Sequence, residues 1–407
     1  MVDALQPARP AEHTDASERA GQQAPIAVTA FDAAARARHA AMCREAVHGP
    51  HQDPLWLAAW ADATGADMMA VTIGEPARPQ LMLVLEVARR GLFRTARFPG
   101  GSHANGSFAA AMRDFGGWDG AREAVAGLPA AISAARPDID LLSLERMEPD
   151  CRGMANPLSA IATGESPNVA LAVDLAGGFE ALLERASGKR KMKKYRAQLR
   201  KFEAAGGHRL VRAESAAEVE TLLDAFFAMK AERFRRMGIA DVFAGRAVRD
   251  FFRRLFCQAL EAPSPRFVLD GLEVGGRLRA VTGSSIIDGR MTCDFSAMDE
   301  SGIEAASPGE FLFFEMMRHA CDEGLAVFDF SVGDERYKRL WHPQERRQLD
   351  VFVPLTRKGR TAAFAQQRLA AAKRAVKDNP VAWALAKRLR RGLKGSEAKG
   401  PPADDGE

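Results

Sequence analysis

The sequence has no long apolar run. It lacks a stretch of about 18 consecutive uncharged apolar residues, the minimum for a transmembrane helix. Its first segment, MVDALQPARPAEHTDASERAGQQ, is polar and contains acids, which is not the pattern of a secretory signal peptide. We therefore expect a cytoplasmic protein.

Cysteine and tyrosine are scarce. The five cysteines are Cys43, Cys151, Cys257, Cys293 and Cys321. They are scattered and form no C-x-x-C pair, which argues against a disulfide framework and against a zinc ribbon. His48 and His51 flank a Gly-Pro turn without an accompanying acid or thiol, so we predict no metal cofactor. Only Tyr195 and Tyr337 remain as candidate tyrosine proton donors.

Length and composition indicate a globular protein of two domains. The chain has 407 residues, with 47% apolar and 27% charged residues, and it exceeds the size at which a single core usually stops growing. A stretch rich in Pro, Gly, Asn and Ser at 147–168 is typical of a linker. We predict a disordered leader at 1–24, a first domain at 25–146, a linker at 147–168, a second domain at 169–356 and a basic helical tail at 357–407.

Periodicity predicts an alternation of strands and helices in the second half. A strand at 169–174 and a basic helix at 178–205 precede a strand at 208–213, helices at 216–237 and 246–261, and three strands between 266 and 298. Gly275-Gly276 and Asp288-Gly289 are good hairpin turns between those strands. A helix at 308–323, a strand at 325–332, a short helix at 334–341 and a strand at 347–354 complete the order.

Three segments of the sequence resemble a known family. They are SPGEFLFFEMMRHACDEGLAVFDFSVGDERYKRLW (307–341), SGKRKMKKYRAQLRKFEAAGG (187–207) and QDPLWLAAW (52–60). The chain resembles the GNAT acyltransferase superfamily over roughly 25–356, and more narrowly the CelD/BcsL-type acetyltransferases, which are related to the FemAB aminoacyltransferases. The resemblance implies an α+β fold of two tandem GNAT-like units, each a mixed central sheet flanked by helices.

The resemblance also implies a donor and its binding residues. In GNAT enzymes an amine attacks the thioester of acetyl-CoA or another acyl-CoA where two parallel strands separate. Backbone N–H groups of the strand at 290–298 would then contact the thioester carbonyl. The residues concerned are Phe295, Ser296, Ala297 and Met298. The pyrophosphate would lie at the start of the next helix, at Ser307 and Gly309.

The segment that would hold the pyrophosphate departs from the family pattern. It reads ESGIEAASPGE (300–310) instead of a basic or amide residue followed by a glycine-rich turn. Ser307 and Glu310 form a capping-box pattern, with Pro308 at the first helical position. Glu304 and Glu310 place carboxylates where a pyrophosphate needs positive charge. An ordinary helix start therefore competes with a phosphate site.

The stretch FDFSVGDERYKRLW (328–341) carries the candidate catalytic residues. Alternation places Asp329 on the opposite face of its strand from Phe328 and Phe330. The resemblance assigns Tyr337 as the acid that protonates the leaving thiolate. It leaves Asp329, Asp334 and Glu335 as candidate bases, and Lys338 as a group that neutralises charge. Packing of Tyr337 and Trp341 on the sheet, and N-capping by Asp334, are the competing structural interpretations.

Two basic segments suggest anionic partners, although the net charge is only +4. The helix around Lys191, Lys193 and Lys194 is either a solvated face or a site for a charged donor. The tail beyond 380 reads VAWALAKRLRRGLK, a basic amphipathic helix that fits peripheral contact with the inner face of the membrane. Docking of this tail on the core or on a partner is the alternative.

These observations lead to one function and two alternatives. We expect an enzyme that transfers an acyl group from acyl-CoA to an amine or hydroxyl of an envelope or exopolysaccharide-related substrate, a small molecule or glycan precursor. The first alternative is a FemAB-like transferase that uses aminoacyl-tRNA, the only case in which RNA is a partner. The second is a non-catalytic accessory protein of a polysaccharide-synthesis assembly. We expect no DNA partner, and a monomer whose cleft forms between its own halves.

Overall fold

The computed structural model describes residues 25–118, 120–303 and 306–379. The predicted leader, the amphipathic part of the tail and Glu304 lie outside these ranges. The first half contains β1 (Ile26–Ala30), α1 (Ala33–Met42), α2 (Pro54–Thr64), β2 (Met68–Glu75), β3 (Arg78–Arg90), β4 (Phe93–Arg97), β5 (Ala110–Ala111), α3 (Ala121–Ala135) and β6 (Leu141–Met147). A small hairpin of β7 (Asp150–Cys151) and β8 (Met154–Ala155) follows.

The second half begins with β9 (Gly164–Asp174), α4 (Gly178–Arg185), α5 (Gly188–Ala204), β10 (His208–Arg212), α6 (Ala216–Met237) and α7 (Arg246–Ala259). It continues with β11 (Phe267–Val274), β12 (Arg277–Ile287), β13 (Arg290–Met298), α8 (Pro308–Asp322), β14 (Val327–Val332), α9 (Arg336–Arg339), β15 (Gln344–Pro354) and α10 (Arg357–Asp378). None of the helices in the described ranges combines the length and apolar character that a membrane span needs.

The hairpin turns are confirmed, whereas the predicted basic helix and the start of the strand predicted at 169–174 differ from the structure. Gly275, Gly276, Asp288 and Gly289 all have positive φ, which a two-residue turn between twisted strands requires. The predicted helix at 178–205 is two helices, because Ser187 adopts a left-handed conformation between them. Strand β9 starts at Gly164, inside the predicted linker.

Nearly all strands belong to one mixed sheet. Its order is β1-β2-β3-β4-β6-β15-β9-β14-β13-β12-β11-β10, and β5 pairs with β3. Strand β15 joins the halves, because it pairs antiparallel with β6 on one side and with β9 on the other. The predicted fold class, a mixed sheet flanked by helices, is confirmed. The two sheets are continuous with each other, which the sequence did not predict.

The same unit occurs in both halves. Strands β2, β3 and β4 form an antiparallel meander, and β6 then lies parallel to β4 after the crossover helix α3. Strands β11, β12 and β13 repeat this arrangement, with β14 parallel to β13 after α8. This repeat is what tandem GNAT-like units require, while the domain boundaries themselves stay a prediction.

Aromatic residues from both halves pack into one shared core. The indole rings of Trp56 and Trp60 on α2 lie 4.8 and 5.0 Å from the ring of Phe251 on α7. A second cluster, around Phe311, Phe313 and Phe328, packs α8 against the sheet. Buried aromatic contacts of this kind fix α2 against α7 and α8 against the sheet.

Candidate active site

Strands β13 and β14 separate after three residue pairs. The pairs are Arg290 with Val327, Met291 with Phe328, and Thr292 with Asp329. On the other edge of β13 the register with β12 shifts, so that Ser284 faces Cys293 and Gly283 faces Phe295, and Asp294 has no partner. A bulge next to a strand separation leaves backbone groups of β13 without a ladder partner in β14.

The four predicted donor-binding residues of β13 lie beyond this separation. Phe295, Ser296, Ala297 and Met298 pair with β12 alone. The Phe295 ring packs into the aromatic cluster of α6 and α7, 4.3 Å from the ring of Phe226. The backbone of this segment, and not the Phe295 side chain, is therefore what the opening offers to a ligand.

Tyr337 lies against the opening on the side of α8. Its ring stacks on Phe313 with centroids 5.4 Å apart, and Phe330 lies 6.2 Å away. Burial raises the pKa of Tyr337 well above its usual value, and the negative charge of Glu335 adds to the effect. The phenol keeps its proton at neutral pH, which a proton donor requires, while the raised pKa makes it a weaker acid than a free tyrosine.

Glu335 and Lys338 form a buried ion pair beside Tyr337. Their charged atoms are 2.7 Å apart, and Lys338 Nζ also donates a hydrogen bond to Val332 O at 3.1 Å. Gly333 has φ of 124°, and a Cβ there would lie 2.7 Å from the Glu335 carboxylate. Glycine is required at this position because both the backbone and the carboxylate exclude a side chain.

Two of the predicted acids lie away from Tyr337. Asp329 is on the opposite face of β14, where its carboxylate accepts hydrogen bonds from Arg290 Nε at 3.1 Å and from the Ser331 N–H at 2.7 Å. Asp334 is exposed and pairs with Arg339. The interpretation of Asp334 as an N-cap is wrong, because Glu335 is the N-cap residue and its side chain makes no capping bond.

The start of α8 is not a capping box. Ser307 has φ of 48° and makes no side-chain capping bond, and Glu310 instead pairs with Lys194 of α5. Gln198 of α5 donates to the carbonyls of Ala306 and Ser307, at 2.9 and 3.1 Å. A Cβ on Gly309 would lie 2.7 Å from Met298 Cε, so this glycine lets α8 approach β13. Its role is therefore close packing in addition to any contact with a ligand.

Helix α5 brings cations to the start of α8, which sequence reasoning missed. Lys191 Nζ lies 3.6 Å from the centre of the Trp341 ring. Burial, together with the charges of Arg190 and Lys194, lowers the pKa of Lys191 to about 8. The spacing of Lys191, Lys194 and Gln198 puts their side chains on one face of α5. This spacing was the sequence signal that could have predicted their contact with the start of α8. The Glu310 charge is thus balanced, and positive charge remains nearby.

Strands β4 and β6 of the first half also separate, and a cleft lies beyond their paired residues. Strands β4 and β6 pair at Thr95 with Leu141 and at Ala96 with Leu142 only. The cleft beyond them has a volume of about 1210 Å³ and extends from the loop at 98–104 to α10.

A smaller pocket of about 40 Å³ lies beside Asp329 and Arg290, between the halves. No group of three or more metal-type ligands occurs in the part of the chain that the structure describes.

Comparisons with known proteins agree with this geometry. Residues 189–339 match the family model for an acetyltransferase (GNAT) domain. The fold is similar to that of FemX, with a TM-score of 0.53, 10% identity, and coverage of 78% of this chain and 96% of FemX. A search of curated proteins returned no significant match.

Two further structural similarities are weaker. One is to the C-terminal domain of a putative lysylphosphatidylglycerol synthetase from Agrobacterium fabrum, with a TM-score of 0.49, 12% identity, and coverage of 83% of this chain and 95% of that one. The other is to a tandem GNAT protein from the clavulanic acid biosynthesis pathway, with a TM-score of 0.44, 13% identity, and coverage of 82% and 99%. Neither carries an argument about activity.

The second half therefore contains a GNAT-type acetyltransferase domain, and the chain is an acyltransferase. Such a domain implies an acyl-CoA co-substrate. The residues present fit one: β13 has backbone groups without a β14 partner, and cations stand beside the start of α8. The non-catalytic alternative is not supported.

Proposed function

We propose that the protein transfers an acyl group from acyl-CoA to an amine or hydroxyl of an envelope or exopolysaccharide-related substrate. The observation that carries the proposal is the separation of β13 from β14 within the matched domain, with the bulge at Asp294 beside it. The polysaccharide part rests on the resemblance to CelD/BcsL-type proteins. The transfer chemistry rests on the residues around the separation.

The donor contacts follow from the charges at that point. When bound, acyl-CoA supplies the thioester. Backbone N–H groups between Phe295 and Met298 are the candidates to stabilise the developing negative charge on its carbonyl oxygen. The N-terminus of α8 at Ser307 and Gly309, with Lys191 and Lys194 of α5, supplies the positive environment that a pyrophosphate needs.

Tyr337 and Glu335 are the proposed proton-transfer groups. Tyr337 keeps its proton at neutral pH and gives it to the leaving thiolate. Glu335 takes a proton from the attacking group, and Lys338 holds its carboxylate in place. Asp329 and Asp334 are weaker candidates, since Asp329 lies on the opposite face of β14 from Tyr337 and Asp334 is exposed and pairs with Arg339.

The test is acetyl-CoA binding and turnover by wild type, Tyr337→Phe and Tyr195→Phe. Tyr195 is the matched control, because it also stacks on an aromatic ring, Phe314, at 4.5 Å. We expect Tyr337→Phe to lower kcat by about 100-fold or more with little change in KM, since general acid catalysis contributes 10²–10⁴-fold. Tyr195→Phe should leave kcat unchanged.

Two results would contradict the proposal. An unchanged kcat in Tyr337→Phe removes that residue from the chemistry. Absence of acetyl-CoA binding at any concentration, in calorimetry, removes acetyl-CoA as donor and leaves longer acyl-CoAs. Glu310→Gln provides a further check, because it frees Lys194 and should tighten acyl-CoA binding.

An aminoacyl donor carried by RNA is the second candidate. The specific observation in its favour is the exposed cationic surface of α5, which includes Lys189, Arg190, Lys193 and Arg196. Joint neutralisation of Lys191, Lys193 and Lys194 should then abolish salt-sensitive retention of tRNA on filters. No retention of tRNA by the wild type at low salt would eliminate this candidate.

A further inference from the structure

The smaller pocket, called the junction pocket here, lies where the two halves meet. Its volume of about 40 Å³ is room for about three water-sized groups. It adjoins the pair of Thr292 with Asp329, the last ladder pair before β13 and β14 separate. The first half contributes Gly106 and Glu148 to its wall, and no residue that lines it also lines the larger cleft. A ligand in the junction pocket therefore contacts both halves of the molecule.

Gln348 of β15 supplies an unpaired hydrogen-bond acceptor to the junction pocket. Its side chain is only 1% exposed, and its Nε2 donates to Glu148 Oε1 at 2.7 Å. The reverse orientation of the amide would set its oxygen against the carboxylate, so the orientation is fixed. Gln348 Oε1 has no hydrogen-bond partner among the described residues. Because an unpaired buried acceptor is costly, the pocket favours a ligand that donates a hydrogen bond or carries positive charge.

The charges around the junction pocket leave one negative charge in excess. Glu148, Asp150 and Asp329 line the pocket, and the guanidinium groups of Arg290 and Arg346 pair with them. Three carboxylates thus face two cations, with the half-exposed Asp150 at the outer edge. Burial raises the pKa of Glu148, and the Asp329 charge adds to the effect, as expected where negative charges lie close together inside a protein. One further positive charge would balance the cluster.

The acceptor atoms are held in place by the protein itself. Glu148 Oε2 accepts from Arg346 Nε at 2.9 Å, while Gln348 holds the other carboxylate oxygen. A Cβ on Gly106 would lie 3.0 Å from Glu148 Oε1 and 3.6 Å from Gln348 Nε2. Glycine at this position therefore leaves the space beside both groups open. A site formed before its ligand arrives has a lower ordering cost of binding.

We propose that the junction pocket binds one small monovalent cation, either potassium or an ammonium group. Its single charge balances the excess carboxylate, and it supplies the missing partner of Gln348 Oε1. A divalent ion fits less well, because the arginines already hold the carboxylates and the described residues contain no group of three or more metal-type ligands. By contacting Glu148 of the first half and Asp329 of β14, the cation stabilises the junction beside the strand separation. The proposal does not depend on the acyl-transfer chemistry.

Thermal unfolding of the full chain in a salt-replacement series tests the proposal. Tetramethylammonium chloride is replaced stepwise by potassium, ammonium or methylammonium chloride at constant ionic strength and pH. Tetramethylammonium is the control, because it is bulky and has no N–H donor. For a dissociation constant of about 10 mM, we expect 100 mM of the bound cation to raise the unfolding midpoint by about 1–2 °C, with saturation.

The three cations distinguish the possible sources of the charge. A larger rise with potassium than with ammonium identifies the alkali ion. A larger rise with ammonium identifies an N–H donor, and an equal rise with methylammonium then shows that the pocket accepts the end of an organic amine.

A glutamine substitution locates the site. Gln348→Met should abolish the cation-dependent rise, because it keeps the side-chain length and removes the acceptor. Gln52→Met is the matched control, since Gln52 is equally buried, lies outside the pocket, and its Oε1 already accepts from the Val84 N–H at 2.8 Å. The rise should persist in this control. Each variant is compared with itself across the salts, so a lower stability of either one does not affect the result.

Glu148→Gln is a second variant, which removes one negative charge while keeping a similar shape. It should weaken the apparent affinity for the cation by about tenfold, the effect of losing one charged contact.

Three results would overturn the proposal. The first is an equal unfolding midpoint of the wild type in all four salts, as water alone in the pocket would give. The second is an undiminished rise in Gln348→Met or in Glu148→Gln. The third is an equal loss of the rise in Gln348→Met and Gln52→Met, which would place the cation outside the junction pocket.

Discussion

Asp294 and His51 are two ionisable side chains that the fold removes from water. His51 Nε2 lies 3.7 Å from Asp294 Oδ1, and both side chains are almost fully buried. Burial raises the pKa of Asp294 to about 8, and the Asp329 charge adds to this. Burial lowers the pKa of His51 to about 3. At neutral pH the pair is therefore uncharged, with the proton on the aspartic acid.

The two side chains make the stability of the fold depend on pH in opposite directions. The folded protein keeps the Asp294 proton up to about pH 8, whereas an unfolded chain loses it near 3.8, so stability falls as pH rises through this window. His51 stays neutral in the fold while an unfolded histidine is protonated below 6.5. That contribution is lost as pH falls below 6.5.

Asp294→Asn separates the two effects. Between about pH 6 and about pH 8 the wild type should lose about 2 kcal/mol more unfolding free energy than the variant, because an amide has no proton to release. Urea unfolding of both proteins at these pH values measures the difference. Equal losses in the two proteins would mean that Asp294 is already ionised in the fold at pH 6.

Helices α6 and α8 begin with the same Ser-x-x-Glu pattern but have different starts. At α6, Ser215 is extended and its Oγ accepts from the Glu218 N–H at 3.3 Å, while Glu218 accepts from the Glu214 N–H at 3.0 Å. At α8, Ser307 is left-handed and Glu310 faces α5. Contacts of α5 with the loop before α8 outweigh the local capping preference there.

Serine substitutions at the two helix starts should therefore have opposite effects. Ser215→Ala should cost about 1 kcal/mol of stability through the lost cap. Ser307→Gly should gain about 0.5–1 kcal/mol, because glycine adopts the left-handed conformation without strain. Thermal or urea unfolding measures both. A loss of stability in Ser307→Gly would show that its side chain contributes a contact of its own.

Asp140 anchors α10 to the first half of the molecule. Its backbone carbonyl accepts from the Leu355 N–H at 2.9 Å, and its carboxylate accepts from Thr356 Oγ1 at 2.9 Å and from Lys358 Nζ at 3.1 Å. A Cβ on Gly359 would lie 1.8 Å from the same carbonyl. The predicted tail, expected outside the core, thus begins with a helix that closes the first-half cleft.

Gly359→Ala should displace α10 as a unit. No rotamer relieves an overlap with a backbone carbonyl, so we expect a stability loss of about 2–3 kcal/mol, as for other overpacked sites. Gly116→Ala is the control, because its Cβ meets no atom within 4 Å. Equal effects of the two variants would contradict the anchoring role.

The sequence by itself determined the features that depend on neighbours in the chain. Alternation placed Asp329 on the opposite face from Phe328, and φ-permissive residues marked both hairpin turns. The family resemblance placed Tyr337 on the short helix after the strand that contains Phe328, and the structure has that helix at Arg336–Arg339. The roles of Tyr337, Glu335 and the other site residues stay predictions.

Only the tertiary structure decided which distant residues meet. Lys194 and Glu310 are 116 positions apart. Because Glu310 pairs with Lys194, it forms no capping box with Ser307, and its negative charge at the start of α8 is balanced. Strand β15 joins the halves by pairing with residues more than 200 positions earlier in the chain. The cleft under α10 depends on the hydrogen bond between Thr356 and Asp140, which are 216 positions apart. Local periodicity carries no information on such contacts, because they are selected by the packing of the whole sheet.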